Sequence, residues 1–382
     1  MRRSLALTST IIAVDAMLFT ALTPLIPGYA AEFGLDKGGA GLLLAAFGVG
    51  ALVGGLASGY AATWFGPKPL VVAGLALLSL ASVAFALAGD PWTLGLSRFA
   101  QGLASTTTWA GALAWVALRA PAGRRGEVIG TVFGVAVAGA VIGPMFGAVA
   151  HAIGIRASFL TVAAVALTMA FVAALSQSGP RDVRTRGALG QVLRDPRYLG
   201  ALWLNTLPAL LFGVAGVLVP LVLSDRGLST LEIGAVFFAA GAIEVVLNPI
   251  LGRVSDRRGK LGVIRLGLAA SVLFSLVLAV VDSAAGLTAV YMLAVVAFGS
   301  FYTPGMALGS ARAARVGLSQ GLAFGTMNSA WALGQVVGAS GGGRLAEVGG
   351  DTTAWIAAAV VCGVTLLATE RVRTRSPVDQ PV

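Results

Sequence analysis

Gly252-Arg253-Val254-Ser255-Asp256-Arg257-Arg258-Gly259-Lys260 closes one long apolar run and opens the next. In the first half of the chain Gly59-xxx-Thr63-Trp64-Phe65-Gly66 stands at the same kind of junction, 193 residues earlier. Farther along each half, Phe133-Gly134, Gly143 and Gly147 return as Phe324-Gly325, Gly334 and Gly338, 191 residues on. Landmarks repeated at half the chain length mean an internal duplication, so the chain reads as two similar helical units with any site between them.

Composition says where those units reside. Of 382 residues 57% are hydrophobic and 11% charged, and the mean hydropathy is +0.89, more apolar surface than a water-soluble core can hide. Apolar stretches of roughly 20 residues, each long enough to cross a ~30 Å hydrocarbon layer as a helix, follow one another with little between them. Twelve are expected, over about 8–30, 39–62, 70–89, 92–118, 127–150, 156–176, 199–223, 231–252, 262–281, 286–309, 318–340 and 352–369. A transmembrane β-barrel needs alternating segments of about 10 residues, and these runs are continuous. The expected fold is therefore an all-α membrane protein: twelve transmembrane helices in two pseudo-symmetric six-helix bundles, 1–176 and 199–382, the second ending in a short cytoplasmic tail. A polar, Arg-rich stretch with Gly179-Pro180 and Asp195-Pro196 makes 177–198 the cytoplasmic linker between them.

The net charge of +10 raises the question of nucleic acid, and its placement answers it. One set of connections holds Arg2, Arg3, Lys68, Arg119, Arg124, Arg125, five arginines from Arg181 to Arg197, Arg253 to Arg265, Arg312, Arg315 and Arg371 to Arg375. The other holds Lys37, Arg156, Arg226 and Arg344. By the positive-inside rule both termini and the linker are cytoplasmic, so the basic excess is a topology signal and no nucleic-acid partner is expected. Arginine outnumbers lysine and Ala and Gly abound, which fits a bacterial protein of the cytoplasmic (inner) membrane. Met1-Arg2-Arg3 before an apolar run is also the pattern of a secretory signal, but the run is too long for one and carries Asp15, Pro24 and Pro27. Cys362 is the sole cysteine and reads as packing. No metal-spaced His or Cys cluster, nucleotide loop or nucleophile constellation is present, so neither an enzyme nor a cofactor is expected.

Charges inside the spans carry the functional reading, since neutral residues would cost far less in lipid. Asp15 in span one and Glu244 in span eight both lie about 10 Å deep at 1.5 Å per residue. Neither has an acidic counterpart in the other half. Burial raises a carboxylate's affinity for protons and an approaching cation opposes that, which is the chemistry of exchange. The alternatives are an edge ion pair for Asp15 and an interhelical hydrogen bond for Glu244. Arg98 opens Arg98-Phe99-Ala100-Gln101-Gly102 in span four, followed on one helical face by Gln101, Ser105, Thr108 and Trp109. That polar face is expected to line a cavity; a snorkelling arginine is the alternative. Asn328, Trp331 and Gln335, at helical spacing in span eleven, either complete a pocket with Trp109 and Tyr302 or serve packing.

Several of these stretches resemble the major facilitator superfamily in its proton-coupled drug-antiporter branch. Gly252 to Lys260 is similar to the family's cytoplasmic signature loop, in which Asp256 and Arg257 between Gly252 and Gly259 would act as a conformational latch; a solvated loop is the alternative. The first-half copy has Thr63 and Trp64 in place of the acid and base. Arg98 to Gly102 resembles the family's membrane-embedded Arg-xx-Gln-Gly. Gly139-Ala140-Val141-Ile142-Gly143-Pro144-Met145-Phe146-Gly147 resembles the antiporter branch's Gly-xxx-Gly-Pro-xx-Gly, where Pro144 bends a helix whose glycines let it rock against a neighbour. Asp15 to Pro27 is similar to the first span of vesicular monoamine transporters. The resemblance implies a monomeric secondary transporter in the lipid bilayer, exporting small lipophilic or cationic organic molecules in exchange for protons, the coupling ion. A specific metabolite exporter or importer of the same fold and a non-transporting membrane sensor or assembly partner remain as alternatives.

Overall fold

The computed structural model describes residues 2–119, 125–177, 188–316, 318 and 320–373. Among them every element is helical. In chain order these are α1 (Arg2–Ala21), α2 (Ile26–Phe33), α3 (Lys37–Phe65), α4 (Pro67–Leu87), α5 (Pro91–Arg119), α6 (Arg125–Ile153), α7 (Ile155–Leu175) and the short α8 (Ala188–Val192). Then come α9 (Pro196–Asp225), α10 (Thr230–Arg258), α11 (Lys260–Leu278), α12 (Ala284–Gly299), α13 (Tyr302–Arg315), α14 (Gln320–Val336), α15 (Gly342–Gly349) and α16 (Asp351–Arg373).

The duplication is visible in the turns. Among the described residues six glycines have positive φ, Gly34, Gly66, Gly154, Gly227, Gly259 and Gly350. They form three pairs, Gly34 with Gly227, Gly66 with Gly259 and Gly154 with Gly350, each about half the chain apart and each at a helix-to-helix junction. Only glycine enters that backbone region without steric penalty, so these junctions explain why the sequence repeat is written in glycine. Polar caps start other helices: Asp90 accepts from the backbone N–H of Trp92 and Thr93 at 2.9 Å each, and Ser229 with Glu232 forms a reciprocal capping box on α10.

Among the described residues ten segments are long and apolar enough to cross a membrane, by length and composition. Two of the twelve expected runs fall outside that set for physical reasons. α5 is long enough but dilutes its apolar surface with Arg98, Gln101, Ser105 and Thr106 to Thr108. α14 runs only 17 residues before a π-helical turn, Val337–Gly341, beyond which α15 continues it past the expected end at 340. Two runs expected to be single helices are interrupted. α1 and α2 are separated by a 3-10 turn at Thr23–Leu25, and α12 and α13 part at Ser300 and Phe301, where Pro304 lacks an N–H and its ring crowds the Ser300 carbonyl. Exposed Leu42, Leu80, Leu96, Leu266 and Val364 turn outward, as lipid-facing surface must.

In the first half α1 packs on α6, α3 and α4 on α5, and α4 on α7; in the second α9 packs on α13 and α14, and α11 on α12 and α16. Two seams join the halves, α3 along α14 and α15, and α6 along α10. Both are tight toward one end: Gly41 abuts the Ala339 carbonyl, Gly48 abuts Val336, and Gly234 abuts Ala148 and the Pro144 carbonyl. Lys37 and Asp351 add an ion pair of 2.6 Å across that end. Toward the other end Gly130, Gly134 and Gly325 have nothing within 4 Å of the positions a side chain would occupy.

Candidate functional site

The site begins with two prolines. Pro24 and Pro27 donate no backbone hydrogen bond, which removes the α-helical donors of the Thr20 and Thr23 carbonyls, and α1 ends at Ala21. Arg98, about 10 Å into α5 at 1.5 Å per residue, reaches the carbonyls of the last α1 turn before that break. Its Nη1 donates to the Leu18 carbonyl at 3.0 Å and to Gln101 Oε1 at 2.9 Å, and its Nη2 donates to the Phe19 carbonyl at 3.1 Å. The guanidinium also sits 4.8 Å from the centre of the Phe47 ring on α3. A cation at the carbonyl end of a broken helix complements its dipole, and the planar fork suits two adjacent acceptors. Arg98 is 1% exposed, so its head group turns inward onto α1 rather than snorkelling toward the helix end.

Asp15 lies on the same pair of helices, seven α5 residues farther in. Ser105 Oγ donates to Asp15 Oδ2 at 2.6 Å and Trp109 Nε1 donates to the same oxygen at 2.7 Å. Asp15 is 2% exposed, and Oδ1 is buried with no hydrogen-bond partner. No ion pair joins Asp15 to Arg98 among the described residues, in keeping with the roughly 10 Å of helix between Arg98 and Ser105. The Trp109 ring packs 5.5 Å from Phe133 of α6. The polar α5 face read from the sequence thus does two separate jobs: Arg98 and Gln101 clamp the break in α1, while Ser105 and Trp109 hold the carboxyl.

On its other side α1 meets the glycines of α6. Gly139 abuts the Ala13 carbonyl, Gly143 the Met17 carbonyl and Gly147 the Ala21 carbonyl, one contact per helical turn. Pro144 deprives the Ala140 carbonyl of its helical donor, and Thr20 Oγ1 of α1 donates to it instead at 2.7 Å. The second half repeats the ladder with Gly334 on the Thr206 carbonyl, Gly338 on the Leu210 carbonyl and Gly342 on Val214. Gln335 stands where Pro144 does; it is buried, and its Oε1 has no partner.

Glu244 is half-buried on α10, with its carboxyl against Gly299 at the end of α12 and close enough to Tyr291 and Tyr302 to act on them electrostatically. Tyr302 packs 4.9 Å from Trp331, which lies 6.1 Å from Phe212. Among the described residues the ring contacts set Trp109 beside Phe133 and Tyr302 beside Trp331. Asn328 is exposed, Trp331 half-buried and Gln335 buried. Of the loop between α10 and α11, Arg257 is exposed and Gly259 makes the turn at φ 90°. The Asp256 side chain and the surroundings of Gly252 lie outside the described residues. Glu244's neighbour Gly299 and the carbonyls beneath Arg98 were missed from sequence; the prolines at 24 and 27 were the signal for the latter.

Residues 8–324 match the model of the Major Facilitator Superfamily. The chain belongs to that superfamily. Among superfamily members it is 24% identical over 344 residues to multidrug resistance protein 2 of Bacillus subtilis, covering 86% of this chain and 84% of the relative. It is 30% identical over 250 residues to the chloramphenicol resistance protein of Streptomyces lividans, a match that spans 62% of each chain and so less than two thirds of that relative. The fold of this facilitator-superfamily chain is similar to the crystal structure of a bacterial homologue of the human lysosomal transporter Spinster in its inward-facing, unoccupied conformation. That likeness has a TM-score of 0.80 at 15% identity over 99% of both chains. The chain is thus a multi-pass transporter of that superfamily, with relatives named for multidrug resistance.

Proposed function

We propose that this transporter exports small lipophilic or cationic organic compounds in exchange for protons by alternating access. Its twelve spans form two six-helix bundles, 1–176 and 199–382, working as a monomer with both termini and the linker on the basic, cytoplasmic side of a bacterial inner membrane. In this scheme α5 and the α14–α15 helix are the two spans beyond the ten most apolar segments. The observation that carries it is Asp15, buried with one carboxyl oxygen held by Ser105 and Trp109 and the other unfilled. A proton satisfies that oxygen in one state. A cation brought between the bundles competes for it in the other, and no covalent step is needed. Glu244, close enough to Tyr291 and Tyr302 to act on them electrostatically, plays the corresponding part in the second bundle, and Asp256 with Arg257 latches the cytoplasmic ends. Relatives named for multidrug and chloramphenicol resistance support the outward direction.

Substrate-induced proton movement in inside-out vesicles tests the scheme. Wild-type protein is expected to release protons on addition of at least one compound of a broad panel that includes chloramphenicol. Asp15→Asn should reduce that signal at least tenfold, and Glu244→Gln should alter which compounds elicit it. A silent wild type across the panel would sink the exchange mechanism; undiminished signals in both variants would remove the two acids from it.

A further inference from the structure

At the closed end of the molecule, the ends of α9, α11, α12 and α16 surround a cavity of about 230 Å³. Its floor is apolar, with Leu218, Val222, Leu287 and Trp355, and its rim carries Arg226, Asp282, Asp351 and Thr352. All four rim residues belong to helix ends or the turns beside them, so the rim lies at the level where hydrocarbon gives way to water.

The charges on that rim are unusually placed. Arg226 and Asp282 line one cavity without pairing with each other or with any other charged side chain among the described residues. Arg226 Nη2 donates to the Val281 carbonyl at 3.0 Å, while Nη1 is buried and has no acceptor. Asp351 is engaged by Lys37, which reaches it from the other half of the molecule at 2.6 Å. A buried guanidinium nitrogen lacking an acceptor wants an anion, and an unpaired aspartate beside it wants a cation. A simple anion would face two carboxylates, and a simple cation would face the guanidinium. A group carrying both charges a few ångströms apart satisfies the rim at once, and the volume, equivalent to about seven or eight waters, accommodates one.

We infer that this cavity is a binding site for a small zwitterionic group, its phosphate or carboxylate on Arg226 and its primary ammonium on Asp282 and Asp351. The chemistry is that of an ethanolamine phosphate, whether as the head group of a membrane lipid or as a free solute. Because Asp351 is shared, an ammonium in the cavity competes with Lys37 for it and loosens the tie across the closed end. This site stands apart from Asp15 and Glu244 and does not depend on the exchange mechanism.

Native mass spectrometry of the full-length protein, titrated with phosphatidylethanolamine, phosphatidylcholine or phosphatidylglycerol, tests the site. Phosphatidylethanolamine is expected to be retained at least fivefold better than the other two, since the trimethylated choline nitrogen donates no hydrogen bond and the glycerol head group has no cation. Arg226→Gln and the milder, exposed Asp282→Asn should each abolish that preference. Displacement of the lipid by millimolar O-phosphoethanolamine would assign the affinity to the head group and admit free solutes; failure to displace would assign it to the lipid. Equal retention of the three lipids together with no binding of O-phosphoethanolamine, or a preference unchanged in both variants, would overturn the site. Spin labels at Glu32→Cys and Thr353→Cys, in a Cys362→Ala background, read the tie to Lys37. Saturation with the ligand should lengthen that distance, and an unchanged distribution at saturation would overturn the coupling.

Discussion

Arg98 shows how one residue's environment decides its worth. A guanidinium deep in lipid is unfavourable by several kcal/mol unless it is paired, and here three acceptors and an aromatic face meet it. Arg98→Lys keeps the charge but not the fork, so one of the two α1 carbonyls loses its donor. Stability in detergent should fall by about 2 kcal/mol, the scale of a lost charge-assisted hydrogen bond. Thermal unfolding measures it, and a lysine variant as stable as wild type would mean that charge alone holds the break. Outside the membrane, Asp195 caps α9 through the Arg197 N–H at 3.0 Å and accepts from Arg312 Nε at 2.5 Å. The hydrogen bond from Arg312 holds its carboxyl below the usual carboxylate range. A group depressed in the folded state stabilises above its unfolded pKa, about 4, and that contribution disappears as pH falls through the lower folded value. The melting temperatures of wild type and Asp195→Asn should therefore differ at neutral pH and converge in acid. A gap that stays the same size from neutral pH into acid would show that the cap acts through geometry alone.

Among the elements, α1 and α6 behave as one unit because each supplies what the other lacks. Three glycines bring the helices into backbone contact, and at the fourth position Pro144 leaves a carbonyl that Thr20 satisfies. A double-mutant cycle isolates this exchange. Thr20→Val should destabilise the Pro144 protein by about 1 kcal/mol, since it strands the Ala140 carbonyl. The same substitution should be nearly neutral with Pro144→Ala, where the helix provides its own N–H. Additive effects would show that Thr20 does not compensate for the proline. The comparison also marks what was legible beforehand. Glycine spacing and Pro144 stood in the sequence, and so did the polar face of α5, because helical periodicity is local. The partner of each face was not, since nothing in the order of residues says that Thr20 meets Ala140 or that Ser105 meets Asp15. Breaks were legible only in part. Pro24, Pro27 and Pro304 each stand at an interruption, whereas the π turn at Val337–Gly341 follows from a run of small residues, Gly338 to Gly343, that composition alone reads as ordinary membrane helix.

At the scale of the whole molecule, the question is what holds one end shut. Two of the contacts that cross it are the Lys37–Asp351 ion pair and the contact of Gly41 and Gly343 with the backbones of α15, the π turn and α3. Magnitudes separate them. Each partner of the pair is about a third exposed, 32% and 31%, and exposed pairs contribute roughly 0.2–1 kcal/mol, at most about a fivefold change in population. At Gly41 a side chain would occupy the space of the Ala339 carbonyl, which a helix backbone cannot vacate. Overpacking of that kind is unfavourable by roughly 1–3 kcal/mol, which shifts a two-state equilibrium by about 5- to 150-fold toward whichever state separates the helices. Gly41→Val should therefore open this end and Lys37→Met should barely disturb it. Double electron–electron resonance between labels at Glu32→Cys and Thr353→Cys distinguishes the two, because the short-distance population should collapse in the glycine variant and persist in the lysine one. The reverse result would make the ion pair the gate and the glycines mere filling. Gly41→Val also tests whether the halves move as rigid bodies. If they do, opening at Gly41 should bring Gly130 and Gly134, free of neighbours at the opposite end, into contact across the gap, and a cysteine at Gly134 should lose its reactivity toward aqueous maleimide in the same variant.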